Sequence, residues 1–263
     1  VTSEKGDIVI DTESRSGILA LTVGVAGSGA VAVNATGFGN IITNRVSSSI
    51  EGGSIIKTGS VDGNILLTAN DTSQIRSAAV SVAGTGAVAA GALIGANVIA
   101  NSVITEISGS EILSGSKLEL ASKNDSDILG LSVDVAASGI AAGILSLTGN
   151  TITNTTRAAI TGEPGRRSDV SANGAINLTA SDTSEINTLA IAVAGTGGGA
   201  IGAAVSANVI TNSAETEIAD SDILTDDSVL LDSSNSSIIR TLSIGVSGSG
   251  IAAVQVSVMG NVV

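Results

Sequence analysis

The sequence predicts an all-β fold, a repetitive β-solenoid similar to a parallel β-helix, and three observations support this prediction. The chain repeats its own pattern in units of 53–58 residues, and repeats of this length are typical of solenoids. Within each unit, large and small residues alternate, which is the period of a β-strand. Glycine is frequent, 33 of 263 residues, and clustered glycines disfavour a helix by about 1 kcal/mol each.

Five short glycine-containing motifs mark the repeat: AGSG, AGTG, AASG, AGTG and SGSG. Their third-last residues are Gly27, Gly84, Ala137, Gly195 and Gly248, separated by 57, 53, 58 and 53 residues. Glycine allows the backbone to turn tightly. We therefore predict a tight turn at each motif, with these turn glycines: Gly27, Gly29, Gly84, Gly86, Gly139, Gly195, Gly197, Gly248 and Gly250.

Polar residues recur at fixed distances from these glycines. Thirteen residues after each anchor comes an asparagine: Asn40, Asn97, Asn150, Asn208 and Asn261. Asparagines stacked at one position of successive coils can hydrogen-bond along the axis, so we predict an asparagine ladder; tolerance of left-handed backbone in a turn is compatible with the same pattern. Thirteen residues before each anchor comes another small polar residue, as in NDTSQI and SDTSEI. With the turn that follows the asparagines, these positions predict four turns per unit.

We predict one domain, a single β-solenoid fragment of residues 1–263. Its approximate units are 6–62, 63–115, 116–173, 174–226 and an incomplete 227–263. The chain begins without methionine and without the basic and apolar regions of a signal peptide, so we expect a fragment or a processed form.

Before each anchor, branched or large aliphatic residues alternate with small ones. In a strand, alternate residues share a face, and we expect the larger residues to point inward. The predicted inward core is Leu21, Val23, Val25, Val80, Val82, Leu131, Val133, Val135, Leu189, Ile191, Val193, Leu242, Ile244 and Val246.

The stretch from Ala78 to Ala100 contains no charged residue. It is long enough for a transmembrane helix, but its strict alternation opposes a helix. A soluble alanine-rich helix conflicts with its glycines, and a flexible linker conflicts with its regularly spaced valines. A strand, a turn and a second strand account for both the alternation and the glycines.

Composition argues against several kinds of chemistry. The chain has no cysteine, histidine, tryptophan or tyrosine, so the usual zinc ligands and a histidine-activated serine are missing. The net charge of −13 and the lack of a basic patch oppose nucleic-acid binding. Acidic pairs such as Asp182 with Glu185 are interpreted as solvated turns. We expect no enzyme and no cofactor, with calcium the one cation that such carboxylates could bind.

One loop, EPGRRSD, interrupts the repeat and concentrates charge. Loops on a rigid scaffold often carry contacts, so this loop is the candidate contact site; a tolerated insertion is the alternative. Its candidate residues are Glu163, Arg166, Arg167 and Asp169.

The segments AGTG, ANVITNS and LTASDTSEI, repeated without cysteine, resemble repeats of leukotoxin-type filamentous adhesins. More broadly, they are similar to haemagglutinin-like filamentous proteins, which are giant secreted bacterial surface proteins. The resemblance covers the whole chain. It implies an exported β-solenoid stalk at the cell surface, and it carries over no catalytic residues.

We therefore expect a structural stalk or filament-forming segment, extracellular or at the bacterial cell surface, for adhesion or matrix assembly. Its partners would be copies of the same chain, with a host or matrix surface as another partner. The first alternative is a membrane-acting, pore-forming toxin segment. The second is a flat-faced carbohydrate or ice binder, which would need regular outward ladders of threonine.

Overall fold

The computed structural model describes all 263 residues and consists of five coils of β-strand with no helix. The strands are β1 (Thr2–Ser3), β2 (Ile8–Ser28), β3 (Val31–Ile50), β4 (Ile55–Thr58), β5 (Ile65–Thr85), β6 (Val88–Ser108), β7 (Glu111–Ser114), β8 (Leu118–Ser138), β9 (Ala141–Thr161), β10 (Ser168–Ala172), β11 (Ile176–Thr196), β12 (Gly199–Ile218), β13 (Ser221–Thr225), β14 (Val229–Ser249) and β15 (Ala252–Val262). Each coil contributes one short strand and two long ones.

The strands form three parallel sheets of five strands each. The short sheet contains β1, β4, β7, β10 and β13, the first long sheet contains β2, β5, β8, β11 and β14, and the second long sheet contains β3, β6, β9, β12 and β15. Each strand pairs with its equivalent in the next coil, and the five repeat anchors pair in one row. The predicted repetitive β-solenoid is therefore confirmed.

Each coil is flat and elongated. Its two long strands pack face to face, and a strand of 21 residues extends about 70 Å at ~3.3 Å per residue. A two-residue turn at positions 29–30, and its equivalents, joins the long strands at one end. The short sheet closes the other end. We call residues 20–40, 77–97, 130–150, 188–208 and 241–261, which lie next to the two-residue turn, the tip half. The rest of each coil is the base half.

The structure has strand where two of the four turns per unit were predicted. The asparagine positions and the NDTSQI-type positions lie within continuous long strands. Their polar side chains point into the coil, where they bond to one another. These recurring polar residues therefore mark polar layers between the two long sheets, and the chain does not reverse direction at them.

The predicted inward core is wrong in its direction. In the tip half the small residues point inward, for example Ala79, Ser81 and Ala83, which are fully buried. The larger aliphatic residues point outward and are half-buried or exposed: Leu21, Val23, Val25, Val80, Val82, Leu131, Val133, Val135, Leu189, Ile191, Val193, Leu242, Ile244 and Val246. A two-residue turn holds the two sheets close together, so most side chains between them near the turn are small; the buried Leu93 and Ile144 are the exceptions.

The interior contains three main apolar zones and a small cluster of Val46, Ala69 and Val103. The base half holds the largest, built from Ile65, Leu67, Ile107 and their equivalents against the short sheet. A ladder of isoleucines lies beyond it: Ile42, Ile75, Ile99, Ile128, Ile152, Ile186 and Ile210. A cluster composed almost entirely of alanine fills the space next to the turn. Polar layers lie between these zones.

In the second to fifth coils, the second glycine of the turn motif is required by the approach of the preceding coil, whereas a Cβ atom at Gly29 of the first coil would meet nothing within 4 Å. A Cβ atom at Gly139 would overlap the carbonyl oxygen of Gly86, and one at Gly250 would overlap that of Gly197. A Cβ atom at Gly195, one of the anchors, would meet nothing within 4 Å. Alanine already occupies the anchor position of the third coil, at Ala137.

Gly139→Ala should therefore lower the free energy of unfolding by about 1–3 kcal/mol, because the two coils must move apart to relieve the contact. Gly195→Ala is the matched control and should change it by less than about 0.5 kcal/mol. Urea denaturation followed by circular dichroism measures both. Equal losses in the two variants would show that the glycines act through turn conformation and not through coil spacing.

Candidate functional site

The five repeating asparagines form one ladder along the solenoid axis. The Asn40 Nδ2 donates to Asn97 Oδ1 at 2.9 Å and the Asn97 Nδ2 to Asn150 Oδ1 at 2.7 Å. The ladder continues from Asn150 to Asn208 at 2.7 Å and from Asn208 to Asn261 at 3.0 Å. Each of the three central amides is thus a donor to one coil and an acceptor from another. This polar layer lies at the border of the tip half and separates the isoleucine ladder from the alanine cluster next to the turn.

Hydroxyl groups of the facing sheet complete this layer. The second amide hydrogens reach Ser77 Oγ from Asn97 at 2.9 Å and Thr188 Oγ1 from Asn150 at 2.9 Å. Asn208 likewise donates to Thr241 Oγ1 at 2.8 Å. Because buried amides are costly when they lack partners, these hydroxyls fix the facing sheets in one relative position.

A second polar layer lies deeper in the base half and contains buried carboxylates. Asp71 accepts hydrogen bonds from Asn44 and Asn101 at 2.8 and 2.7 Å. Asp182, which the sequence pattern placed in a solvated turn, is almost fully buried and accepts from Asn124 at 2.8 Å. Burial raises the pKa of Asp182, and the hydrogen bonds from Asn124, Ser184, Thr156 and Asn154 offset this in part.

Asp134 is the only charged residue of the tip half, and it points inward. It is fully buried, and neither carboxylate oxygen has a hydrogen-bond partner of acceptable geometry. A Cβ atom at Gly91 would lie 2.5 Å from its Oδ1, so the carboxyl group occupies space left by that glycine. Burial raises the pKa of Asp134, and the nearby Ser81 hydroxyl and Val135 amide lower it by less.

The outer side of the tip half carries two apolar faces. On the second long sheet, alternate residues of 31–39, 88–96, 141–149, 199–207 and 252–260, counted from the first of each range, point outward. All of them are glycine, alanine, valine, leucine or isoleucine. We call this surface the broad apolar face. It occupies roughly 800 Å², from strand spacings of ~4.8 Å and row spacings of ~6.6 Å.

The first long sheet carries a smaller surface of the same kind, the narrow apolar face. Alternate residues of 21–27, 78–84, 131–137, 189–195 and 242–248 point outward there, and all are apolar. A depression of about 500 Å³ among Leu19, Leu21, Leu129, Leu131 and Ala78 lies at its border. Monomeric soluble proteins rarely expose apolar patches larger than ~600 Å². The two apolar faces are the candidate functional surface, and the inward polar layers hold together the sheets that carry them.

The charged residues outside the tip half include one row of ion pairs that connects three coils. Arg157 on β9 contacts Glu106 on β6 at 3.2 Å and Glu217 on β12 at 2.6 Å. Burial lowers the pKa of Arg157, but the hydrogen bonds and charges of Glu217 and Glu106 raise it by more. Because Asp134 is the only charged residue of the tip half, nearly all of the net charge of −13 lies in the base half.

The predicted contact loop lies at a corner of the base half and bonds to other coils. Glu163 and Arg166 form a small antiparallel bridge, and Glu163 Oε1 accepts a bond from the Gly52 amide at 3.0 Å. Arg167 holds Asp222 of the next coil through two bonds of 2.9 and 3.1 Å. The Arg167 hydrogen bond and charge lower the pKa of Asp222. No side-chain hydrogen bond or ion pair involves Asp169. These contacts clamp coils together.

Two further findings concern possible ligands and membranes. No group of three or more acidic residues is close enough to hold a metal ion. The chain contains no helix with the length and hydropathy needed to cross a membrane.

Comparison with models of protein families, with curated proteins and with solved structures gave no match.

Proposed function

We propose that this chain is a structural, filament-forming segment of a secreted bacterial surface protein, which assembles through its apolar faces for adhesion or matrix formation. The observation that carries this proposal is the pair of outward apolar faces on an in-register solenoid. The likeness of the repeats to filamentous adhesins supports the extracellular location.

The solenoid is suited to a mechanical role because its backbone bonds run along the axis. Of 183 backbone hydrogen bonds, 159 lie within the paired strands, and even the turns are bonded, as between the Val88 amide and the Ala30 carbonyl at 2.9 Å. Stacked repeats of this kind contact only their neighbours and form stiff, quasi-linear arrays.

Each coil is much wider than the length that it adds along the solenoid axis. Five coils at ~4.8 Å per coil extend about 24 Å along the axis, whereas each coil is about 70 Å across at the rise of an extended strand. A solenoid of this shape gains little length for each residue but presents wide faces. We therefore place its function in lateral and end-to-end assembly.

Electron microscopy and X-ray fibre diffraction of the purified chain in neutral buffer test this proposal. We expect elongated assemblies with a repeat near 4.8 Å along their axis, as strand spacing requires. Isolated particles at every concentration, with no lateral or axial association, would contradict it.

A second candidate function, insertion into membranes, is supported by the depth of the tip half. From the Asn40 ladder to the turn, nine or ten residues of each long strand extend about 30 Å, close to the ~30 Å hydrocarbon core of a bilayer. Leakage of dye from liposomes tests this candidate. Leakage without assembly in solution would favour it over the structural function.

A further inference from the structure

We propose that a second copy of this chain packs on the broad apolar face, so that the two faces meet as sheet on sheet. This inference rests on the proposed structural function and names its partner. It follows from the area, the relief and the charge of the face.

The area of the broad apolar face matches what a stable dimer needs. Each copy offers roughly 800 Å², and a typical specific interface buries about 800 Å² on each partner. Much of this surface is accessible in the single chain: Val33 is 68% exposed, Ile94 57% and Ile201 64%. Covering such surface removes apolar area from water and favours association, against the cost of ordering two molecules.

The relief of the face suits a copy of itself. Ile94, Leu145 and Ile201 protrude, whereas Gly143 and Ala90 leave a shallow apolar groove of about 520 Å³. Small residues let two sheets approach to the usual distance of ~10 Å. In a two-fold contact, the same patch meets itself, so the protruding side chains of each copy face the groove of the other.

Charge determines the orientation of the two copies. The broad apolar face carries no charged side chain, and the acidic surface lies in the base half. When the two base halves point in opposite directions, their like charges lie farther apart than the Debye length of ~8 Å at physiological salt. A parallel arrangement would bring the acidic base halves together and be disfavoured.

The narrow apolar face is the weaker candidate for this contact. It covers only about 600 Å² by the same spacings. The guanidinium groups of Arg76 and Arg240 border it, and the depression beside Leu21 and Leu131 interrupts its edge.

Sedimentation equilibrium of the intact chain, with two matched variants, tests the proposal. Leu145→Lys places a charge in the centre of the broad face, at a side chain that is 39% exposed, and Val133→Lys places one in the centre of the narrow face. We expect a dimer at micromolar concentration, a dissociation constant raised at least about tenfold by Leu145→Lys, and a change below about twofold for Val133→Lys. Circular dichroism checks that each variant is folded, and Ala203→Glu replaces Leu145→Lys if that variant is not.

Three outcomes would overturn the proposal. The unmodified chain could remain monomeric up to hundreds of micromolar, or Val133→Lys and not Leu145→Lys could dissociate the dimer. The monomer could also co-sediment with neutral phosphatidylcholine vesicles in place of dimerising, which would assign the face to lipid. Lateral assemblies that Val133→Lys disrupts and Leu145→Lys does not would contradict this inference alone and leave the proposed function supported, because they would form through the narrow apolar face.

Discussion

Replacing Asp134 with serine should raise the free energy of unfolding at pH 7 by about 1–3 kcal/mol. The carboxyl group is fully buried and both its oxygens lack partners, and a buried polar group without a hydrogen bond costs about that amount. The same position in other coils holds Gly24, Ser81, Ala192 and Gly245, so serine fits the site. Asp125→Ser, at an exposed position of the same strand, is the control and should change stability by less than about 0.5 kcal/mol.

The gain from Asp134→Ser should depend on pH in a defined direction. Burial raises the pKa of Asp134 above its ordinary value of 3.8, so the folded protein holds this proton more tightly than the unfolded chain does. Stability from this group is therefore fully present below pH 3.8 and is lost as the pH rises through the folded pKa. The difference between variant and parent, measured by urea denaturation at several pH values, should increase from about pH 3 to about pH 7. A parent that is more stable than the variant at neutral pH would contradict this account.

Replacing Asn150 with leucine should lower the free energy of unfolding by about 3 kcal/mol. Asn150 accepts a bond from Asn97 and donates to Asn208 and Thr188, all within the buried polar layer. Leucine has a similar size but forms none of these bonds, and each lost bond costs about 1 kcal/mol, with more for partners left unpaired.

The first rung of the same ladder provides the control. Asn40 is only partly buried and makes one side-chain bond, to Asn97, so Asn40→Leu should cost about 1 kcal/mol. Urea denaturation of both variants gives the comparison. A loss at Asn150 no greater than the loss at Asn40 would show that the ladder does not hold the coils together.

The repeat and its register could be predicted from the sequence because both depend on spacing alone. The anchors at Gly27, Gly84 and Gly195 lie 57 or more residues apart in the chain yet occupy one row of paired strands. The direction of the faces could not be predicted in the same way. Alternation identifies a strand, but it does not say which set of residues points inward.

The distance between the two long sheets decides that direction. Near the two-residue turn, Ala83 and Ala89 fill the interior, and valine or leucine at those positions would force the sheets apart. Toward the short sheet, the interior widens enough for Ile65 and Leu67. The usual expectation that larger apolar residues are buried holds for the base half and fails for the tip half.

Part of the candidate surface was visible in the sequence. Among residues 130–150, Asp134 is the only charge, and the equivalent segments of the other coils have none. The absence of charge indicated an apolar outer surface at these segments. Its residues were not recognised because the large aliphatic side chains were expected to point inward. The buried carboxylate of Asp182 gave no such signal, because its sequence neighbours resemble those of an exposed turn.

The central claim, that the tip half is apolar outside and mostly small or polar inside, can be tested by cysteine labelling, since the chain has no native cysteine. Leu131→Cys places a thiol on the outer side, and Ser132→Cys places one, with little change in size, at a fully buried position. At concentrations where the chain is monomeric, we predict that a maleimide modifies Leu131→Cys quickly and Ser132→Cys only after unfolding in urea. Rapid modification of Ser132→Cys with protection of Leu131→Cys would contradict the account.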